Sequence, residues 1–325
     1  MNEQLINILT QLLNIYDKIG DEYRAKAYYV AIQNIKKLQY KITKDNLPDL
    51  KDKKIPGVGK SILNIITEYI TTGHIRELDD LNARKDISAY ETLGKISGVG
   101  PATISNWVKQ KIYTINDLEA AVKANKVTLT HQQQLGLLYY DDLNDRIPRD
   151  EVTTIVQKLQ PCIVNPAQTT AKNNNKNNTI IFTVAGSYRR GAPSSGDIDI
   201  LITSIRPIKN YLQLSHACLQ KIPGYIDIIS AGEQRLTFLF KAQKCRQVDL
   251  LYIPYNSYYA ALNYFTGSDN FNREIRLIAK SKGYLLNQTG LYKKTPKGMK
   301  IIPMNSEKEL FDILSIPYKP PNERI

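Results

Sequence analysis

The sequence predicts a helical N-terminal half followed by a mixed α/β C-terminal half, and three observations carry that reading. Apolar residues recur at helical spacing through residues 1–145. From about Arg146 onward, short Ile- and Val-rich runs alternate apolar and polar side chains, as half-buried strands do. Charge divides at the same place: residues 1–150 carry 21 Lys+Arg against 19 Asp+Glu, whereas residues 151–325 carry 23 against 12. A chain of 325 residues that is 42% hydrophobic suffices for two or three units with cores of their own. No apolar run approaches the ~18 residues that span a bilayer, and the start, Met1-Asn2-Glu3-Gln4, lacks a signal-peptide pattern. Cys162, Cys218 and Cys245 are scattered, odd in number and without a Cys-x-x-Cys pair. They read as thiols in a reducing compartment, not as a disulfide frame or zinc site.

In the N-terminal half, Leu5, Leu9, Leu12, Leu13 and Tyr16 form one helical stripe, and Ile62, Ile65, Ile66, Tyr69 and Ile70 form another. Two segments are related: Ile55-Pro56-Gly57-Val58-Gly59-Lys60-Ser61-Ile62 and Ile96-Ser97-Gly98-Val99-Gly100-Pro101-Ala102-Thr103-Ile104. Each is an apolar residue, a G-V-G turn and an amphipathic helix, the helix-hairpin-helix pattern. The glycines let another backbone approach closely, and the helix start offers unpaired amides to an anion. One such turn fits an ordinary helix connection. Two copies, about forty residues apart, point to binding of a DNA phosphate backbone with little sequence preference.

In the C-terminal half, strands are expected at 180–185, 197–203, 225–229, 235–240 and 247–253. The polar run 172–178 reads as a solvated loop, and the last seventy residues mix short elements with Gly and Pro punctuation. Within Gly196-Asp197-Ile198-Asp199-Ile200, strand alternation puts both aspartates on one face, with Ile198 and Ile200 packed behind. Two such carboxylates repel unless a cation lies between them. Hard oxygen ligands suit Mg²⁺, commonly held by one or two carboxylates and substrate phosphates. The preceding Gly186-Ser187-Tyr188-Arg189-Arg190-Gly191 follows an apolar strand and supplies the phosphate side. Residues 271–300 carry eight basic residues against one acid, Glu274, which favours a polyanion partner.

Together with Arg146-Ile147-Pro148-Arg149, Val248-Asp249-Leu250, Tyr264-Phe265-Thr266-Gly267-Ser268-Asp269-Asn270-Phe271-Asn272 and Ser306-Glu307-Lys308-Glu309-Leu310-Phe311-Asp312, these motifs resemble the family X DNA polymerases. The likeness is to the compact DNA polymerase β type and covers nearly the whole length. It implies α-helical helix-hairpin-helix domains followed by an α+β nucleotidyltransferase palm and a small α/β thumb. The parts would be a lyase-type domain at 1–80, fingers at 81–145, palm at 146–255 and thumb at 256–325, with no BRCT-like or phosphoesterase domain. It implies short-gap filling in DNA repair, by two-metal nucleotidyl transfer from dNTP to a primer 3′-hydroxyl, with Mg²⁺ or Mn²⁺. It implies a third carboxylate, Asp249, which is flanked by Val248, Leu250 and Tyr252 and would meet the Asp197/Asp199 pair from a neighbouring strand. Three carboxylates can hold two Mg²⁺ ions roughly 4 Å apart, activating an attacking oxygen and stabilising a leaving one. Asp197 and Asp199 would bind both metals; Asp249 would bind the catalytic one and help take the proton. Arg146, Ser187, Arg190 and the Gly196 backbone would hold the triphosphate. Tyr264 and Phe265, with Gly267 beside them, would line the sugar, and Asp269 and Asn272 would face the base. Gly57, Gly59, Lys60, Gly98, Gly100, Arg273 and Arg276 would contact DNA. Backbone groups of Lys53, Ile55, Val58, Gly94, Ile96 and Val99 would hold a monovalent cation at the hairpin turns. The implied partners are gapped or nicked double-stranded DNA, with a repair ligase or end-processing proteins. The chain would act as a monomer, away from membranes, in the nucleus or another site of DNA repair.

The chain departs from this family in two places. Ile65 stands where the lyase-domain lysine would form a Schiff base. An aliphatic side chain is no nucleophile, so 5′-deoxyribose-phosphate lyase activity is expected to be weak or absent. Asn64 replaces a glutamate and Glu77 a lysine, while Arg24 and Tyr28 still match the pocket and Lys26 and Lys60 are neighbouring amines. Near the carboxylates, Gln247 and Leu251 replace arginines, and Gln288 replaces the glutamate that would partner the second. Loss of both members strands no buried charge, and implies that closure is governed differently. Two other readings stay open: a template-independent or RNA-tailing nucleotidyltransferase using the same chemistry, and a non-catalytic DNA-end scaffold.

Overall fold

Helical periodicity in the first half produces α1 (Glu3–Lys18), α2 (Glu22–Lys36), α3 (Leu47–Asp52), α4 (Lys60–Thr72), α5 (Arg76–Ala83), α6 (Lys85–Leu93), α7 (Pro101–Lys109), α8 (Ile115–Lys123) and α9 (His131–Leu138). The computed structural model describes residues 2–52, 55–166, 179–296 and 298–324. Two units emerge, residues 1–137 and 138–325. Local chemistry sets several helix starts: the Asp21 side chain accepts from the Arg24 amide, and Thr114 and Asp117 form a reciprocal capping box. Leu5, Leu9 and Leu12 of α1, Ala31 and Ile35 of α2, and Ile62, Ile65 and Ile66 of α4 share one aliphatic cluster.

The two G-V-G segments adopt the same backbone solution. Gly57 and Gly98 have φ of +82° and +78°. The Val58 amide donates to Ile55 O at 3.0 Å, and that of Val99 to Ile96 O at 3.1 Å. A Cβ at Gly57 would lie 2.6 Å from Val30 Cγ1, and one at Gly98 would lie 2.8 Å from Gln132 Cδ. The second glycines differ: Gly59 and Gly100 begin α4 and α7 in extended conformation, and a Cβ at either would meet nothing within 4 Å. Handedness and packing thus demand the first glycine of each turn, while the second leaves the helix start open.

The second unit contains α10 (Tyr140–Asn144), β1 (Ile147–Pro148), α11 (Arg149–Val164), β2 (Ile180–Val184), α12 (Gly186–Arg189), β3 (Ser194–Ser195), β4 (Ile198–Ser204), α13 (Tyr211–Leu219), β5 (Tyr225–Ala231), β6 (Arg235–Lys241) and β7 (Cys245–Tyr252). Beyond them lie α14 (Tyr258–Thr266), α15 (Asp269–Ser281), β8 (Tyr284–Asn287), β9 (Gly290–Thr295), β10 (Gly298–Ile302) and α16 (Glu307–Ile313). The five expected strands form one sheet in the order β2-β4-β7-β6-β5, with β4 and β7 parallel and the other neighbours antiparallel. Strand alternation sends Ile198, Ile200 and Ile202 into a cluster with α11 and α13, while Leu201 and Leu251 pack with Tyr258, Ala261 and Leu262 of α14. The short β1–β3 pair, Ile147 opposite Ser195, had no sequence signal. The three-stranded β8-β9-β10 sheet packs with α15 and α16 around Phe271, Leu291 and Phe311. The loop expected at 172–178 lies outside the described residues.

One sequence expectation is overturned. Cys162 of α11 and Cys218 of α13 are joined in a disulfide, with Cα atoms 5.4 Å apart. Their separation of 56 residues conceals the pairing, which arises because both helices pack on the same sheet face. Cys245 is a buried thiol, pushed up to about 12 by burial.

A buried ionic network ties α12 to the C-terminal segment. Glu307 accepts from Arg189 Nη2 at 2.9 Å and from Arg324 Nη1 at 2.7 Å. The Arg324 guanidinium is fully buried, 5.0 Å from the ring centre of Phe271 and 5.3 Å from that of Phe311. Burial alone would raise the Glu307 carboxyl, but hydrogen bonds from the two arginines outweigh it and hold it below the usual range. Among the described residues, no helix is long and apolar enough to cross a membrane.

Candidate active site

Parallel pairing of β4 with β7 sets Asp199 opposite Asp249, flanked by the pairs Ile198–Val248 and Ile200–Leu250. Asp197 precedes β4, and one carboxylate oxygen from each of Asp197, Asp199 and Asp249 lies within 4.8 Å of the others. Asp249 is fully buried, Asp199 half-buried and Asp197 at the solvent rim. Burial, then repulsion by Asp197 and Asp249, pushes the Asp199 carboxyl up to about 7, against the opposing charge of Arg235. Asp197 is raised in the same direction by lost solvation and by Asp249. A set of hard oxygen donors whose mutual repulsion a cation would relieve fits a divalent ion of the Mg²⁺ class.

Arg235 was not among the expected residues, yet it dominates the contacts of Asp249. Its Nε lies 3.2 Å from Oδ1 and its Nη2 2.6 Å from Oδ2, a bidentate pair. The Thr237 hydroxyl also donates to Oδ1, and Gln247 Nε2 lies 3.3 Å from Oδ2. β6 pairs with β7 so that Thr237 sits opposite Asp249, and Arg235, two residues earlier on the same face, reaches the same carboxylate. The guanidinium beside Asp249 thus comes from β6, while Gln247, where the resemblance would put an arginine, supplies a neutral donor. Alternation places Arg235 and Thr237 on one face, but only the strand pairing says which carboxylate that face meets.

The residues expected on the phosphate side gather around α12. Gly186 opens α12 with a φ of +59°, a conformation that favours glycine, and a Cβ there would lie 3.4 Å from Asp199 Oδ2. The Ser187 hydroxyl donates to Ser195 Oγ at 2.9 Å, and Arg146 donates to Ser194 Oγ at 3.1 Å, just before Gly196. Arg190 Nη1 donates to Thr266 O at 2.5 Å, linking α12 to the end of α14 beside Gly267. Tyr264 and Phe265 meet edge to face at 5.0 Å. Asn272 is buried and donates from Nδ2 to Tyr264 O at 2.8 Å, while the Arg276 guanidinium lies 4.9 Å from the Tyr264 ring centre. Asp269 and Arg273 are exposed on α15. Leu251, in place of an arginine, is buried among apolar side chains, and Gln288 is exposed between β8 and β9.

The remaining expected residues belong to the N-terminal unit. Gly57, Val58, Gly59 and Lys60 line a cavity of about 1590 Å³ together with Tyr16, Arg24, Tyr28, Arg76 and Glu77. Tyr16 donates its hydroxyl to Glu77 and accepts from Arg24 Nη1 at 3.1 Å. Burial, with the charge of Glu77 adding, holds the Tyr28 hydroxyl above its usual range. Ile65 is 4% exposed and lies in the aliphatic cluster behind α4. Lys60 is the lysine among the described lining residues, and Lys26 does not line the cavity. At the turns, Ile55 and Ile96 are buried and Gly94 closes α6; Lys53 lies outside the described residues.

Family models match in order along the chain. Residues 1–75 match a helix-hairpin-helix domain, and residues 91–144 the fingers domain of DNA polymerase lambda. Residues 146–229 match the DNA polymerase beta palm, and residues 261–325 the DNA polymerase beta thumb. A DNA polymerase lambda of Arabidopsis thaliana is 30% identical over 355 aligned residues, spanning all of this chain and 62% of that protein. One of Rattus norvegicus is 29% identical, spanning 99% of this chain and 56% of its own length. A DNA nucleotidylexotransferase of Xenopus laevis is 25% identical, spanning 93% of this chain and 64% of its own. The chain therefore covers less than two thirds of the length of these relatives.

Proposed function

The chain belongs to the family X DNA polymerases, and on that premise we propose that it fills short gaps in duplex DNA, adding a nucleotide from dNTP to a primer 3′-hydroxyl. The observation that carries this reading is the convergence of Asp197, Asp199 and Asp249 within 4.8 Å, beside Gly186, Ser187 and the Arg190 link to Thr266. Four parts would share the work: a lyase-type domain at 1–80, fingers at 81–145, palm at 146–255 and thumb at 256–325.

Asp197 and Asp199 would hold both of two Mg²⁺ or Mn²⁺ ions and Asp249 one of them. When bound, the ions neutralise phosphate charge and lower the pKa of the attacking hydroxyl. Asp249 would help take the proton of the primer 3′-hydroxyl. Arg146 and Arg190 would fix the triphosphate, Ser187 and the Gly196 amide would complete its cradle, and most of the acceleration would come from positioning and charge complementarity. The crossed rings of Tyr264 and Phe265 would press on the sugar and disfavour a 2′-hydroxyl. Asn272 would read the minor-groove edge of the incoming base, with Asp269 nearby, and Arg273 and Arg276 would hold the template strand. Gly59 and Gly100 would admit DNA phosphates to the starts of α4 and α7, assisted by a monovalent cation at each turn. Gapped or nicked DNA would be the substrate of a monomeric enzyme, at the nucleus or another site of repair.

The N-terminal unit would bind the 5′ side of the gap with little or no lyase activity. Ile65, turned into the core, supports that reading. A template-independent transferase is the second reading, favoured by the likeness to a DNA nucleotidylexotransferase. Extension on a one-nucleotide gap, with and without a 5′-phosphate, decides between them. Correct-dNTP incorporation directed by the template base is expected. Extension of single-stranded DNA irrespective of template would favour the alternative, and no extension would leave a DNA-end scaffold.

A further inference from the structure

We propose that Arg235 is an exchangeable counter-ion for Asp249: its guanidinium and a divalent cation occupy that carboxylate in turn. This rests on reading the three aspartates as a metal centre. Asp249 already has both oxygens engaged: Arg235 reaches both, Thr237 binds Oδ1 and Gln247 binds Oδ2. A cation entering between Asp199 and Asp249 must therefore displace a donor. The two ends of the ion pair are unequal. Asp249 is fully buried, whereas the Arg235 side chain is 52% exposed. A buried carboxylate left unpaired is costly, but a half-exposed guanidinium can swing into water or onto a phosphate. Arg235 therefore departs only as positive charge arrives, and the vacancy is never left uncompensated.

The remaining contacts suit such an exchange. Thr237 and Gln247 are neutral donors on the strands themselves, so they hold the orientation of Asp249 after the guanidinium leaves. In a chain with Arg235 in place, divalent ions bind weakly until other negative groups, such as nucleotide phosphates, join the site. Arg235 is thus a positioning residue that couples metal loading to substrate. The direction of the effect separates this role from a structural one: removing the residue should strengthen metal binding.

The test is Mn²⁺ titration of the full chain without DNA or nucleotide, with unbound Mn²⁺ read by electron paramagnetic resonance. Arg235→Gln is expected to bind roughly tenfold more tightly than wild type, the factor set by losing a charge-assisted competitor. Arg235→Lys should fall between them, because an ammonium makes a point contact where guanidinium makes two. Adding Asp249→Asn to Arg235→Gln should erase the gain. Circular dichroism and thermal melting check that each variant is folded, and Arg235→Lys carries the comparison if Arg235→Gln is not. Unchanged or weaker Mn²⁺ binding in both Arg235 variants, or a gain that survives Asp249→Asn, would overturn the proposal. If wild type extends a primer while the Arg235 variants gain no affinity, the exchange alone is wrong. If wild type neither extends nor binds Mn²⁺ and no variant does, the metal-centre reading fails with it.

Discussion

In the C-terminal unit, three carboxylates crowd within 4.8 Å and the positive charge beside them comes from Arg235. In the N-terminal unit, Tyr16, Arg24 and Tyr28 line the cavity, while Ile65, at the position where the family resemblance would put a lysine, lies in the aliphatic core. The same contrast runs through the packing. The C-terminal unit contains the Arg189–Glu307–Arg324 network and the Cys162–Cys218 bridge, whereas the cluster around α1, α2 and α4 is aliphatic and aromatic. On the proposed function, a binding surface would survive loss of one reactive group, because helix packing and glycine turns do not depend on it. A metal centre would not, because each carboxylate there both repels its neighbours and completes the ligand set.

The largest test of this contrast is removal of a carboxylate. Asp199→Asn or Asp249→Ala is expected to lower single-turnover primer extension by roughly 10³-fold or more, with gapped-DNA binding retained. Extension within tenfold of wild type would mean that the convergence is not the chemical centre. The opposite result is expected of the other unit. Borohydride trapping on a 5′-incised abasic duplex should yield no adduct above that of Lys60→Ala; an efficient adduct would erase the contrast.

Stability gives two smaller tests, and Trp107, the single tryptophan, reports the N-terminal unit alone. Glu307→Gln should destabilise the C-terminal unit by about 3–5 kcal/mol, since two arginines lose their shared buried partner. The folded-state pKa of Glu307 is depressed. Its stabilisation is therefore complete above the unfolded value of about 4.3 and is lost as pH falls through the lower folded value. Acid titration should loosen the C-terminal unit through this network, read as a change in circular dichroism of the whole chain before Trp107 fluorescence moves; Glu307→Gln should narrow that gap. Reduction of Cys162–Cys218 should cost the same unit about 2–4 kcal/mol, read as a shifted denaturant midpoint with Trp107 unchanged. Equal shifts in both signals would show that the bridge does not act locally.

The local patterns were legible in the sequence because their causes are local. Period-two alternation predicted the strands to within two residues at their ends and put Asp197 and Asp199 on one face with Ile198 and Ile200 behind. The G-V-G spacing identified both turns because a positive φ and a close approach are properties of a few consecutive residues. The family resemblance added Asp249 and placed it correctly beside Asp199. What tertiary structure alone decided were pairings between distant segments. Arg235 meets Asp249 because β6 lies next to β7, Cys162 meets Cys218 because two helices share a sheet face, and Glu307 meets Arg189 across 118 residues. Alternation and helix period say which way a side chain faces. What it faces depends on strand order and layer packing, and neither is written in any short stretch of chain.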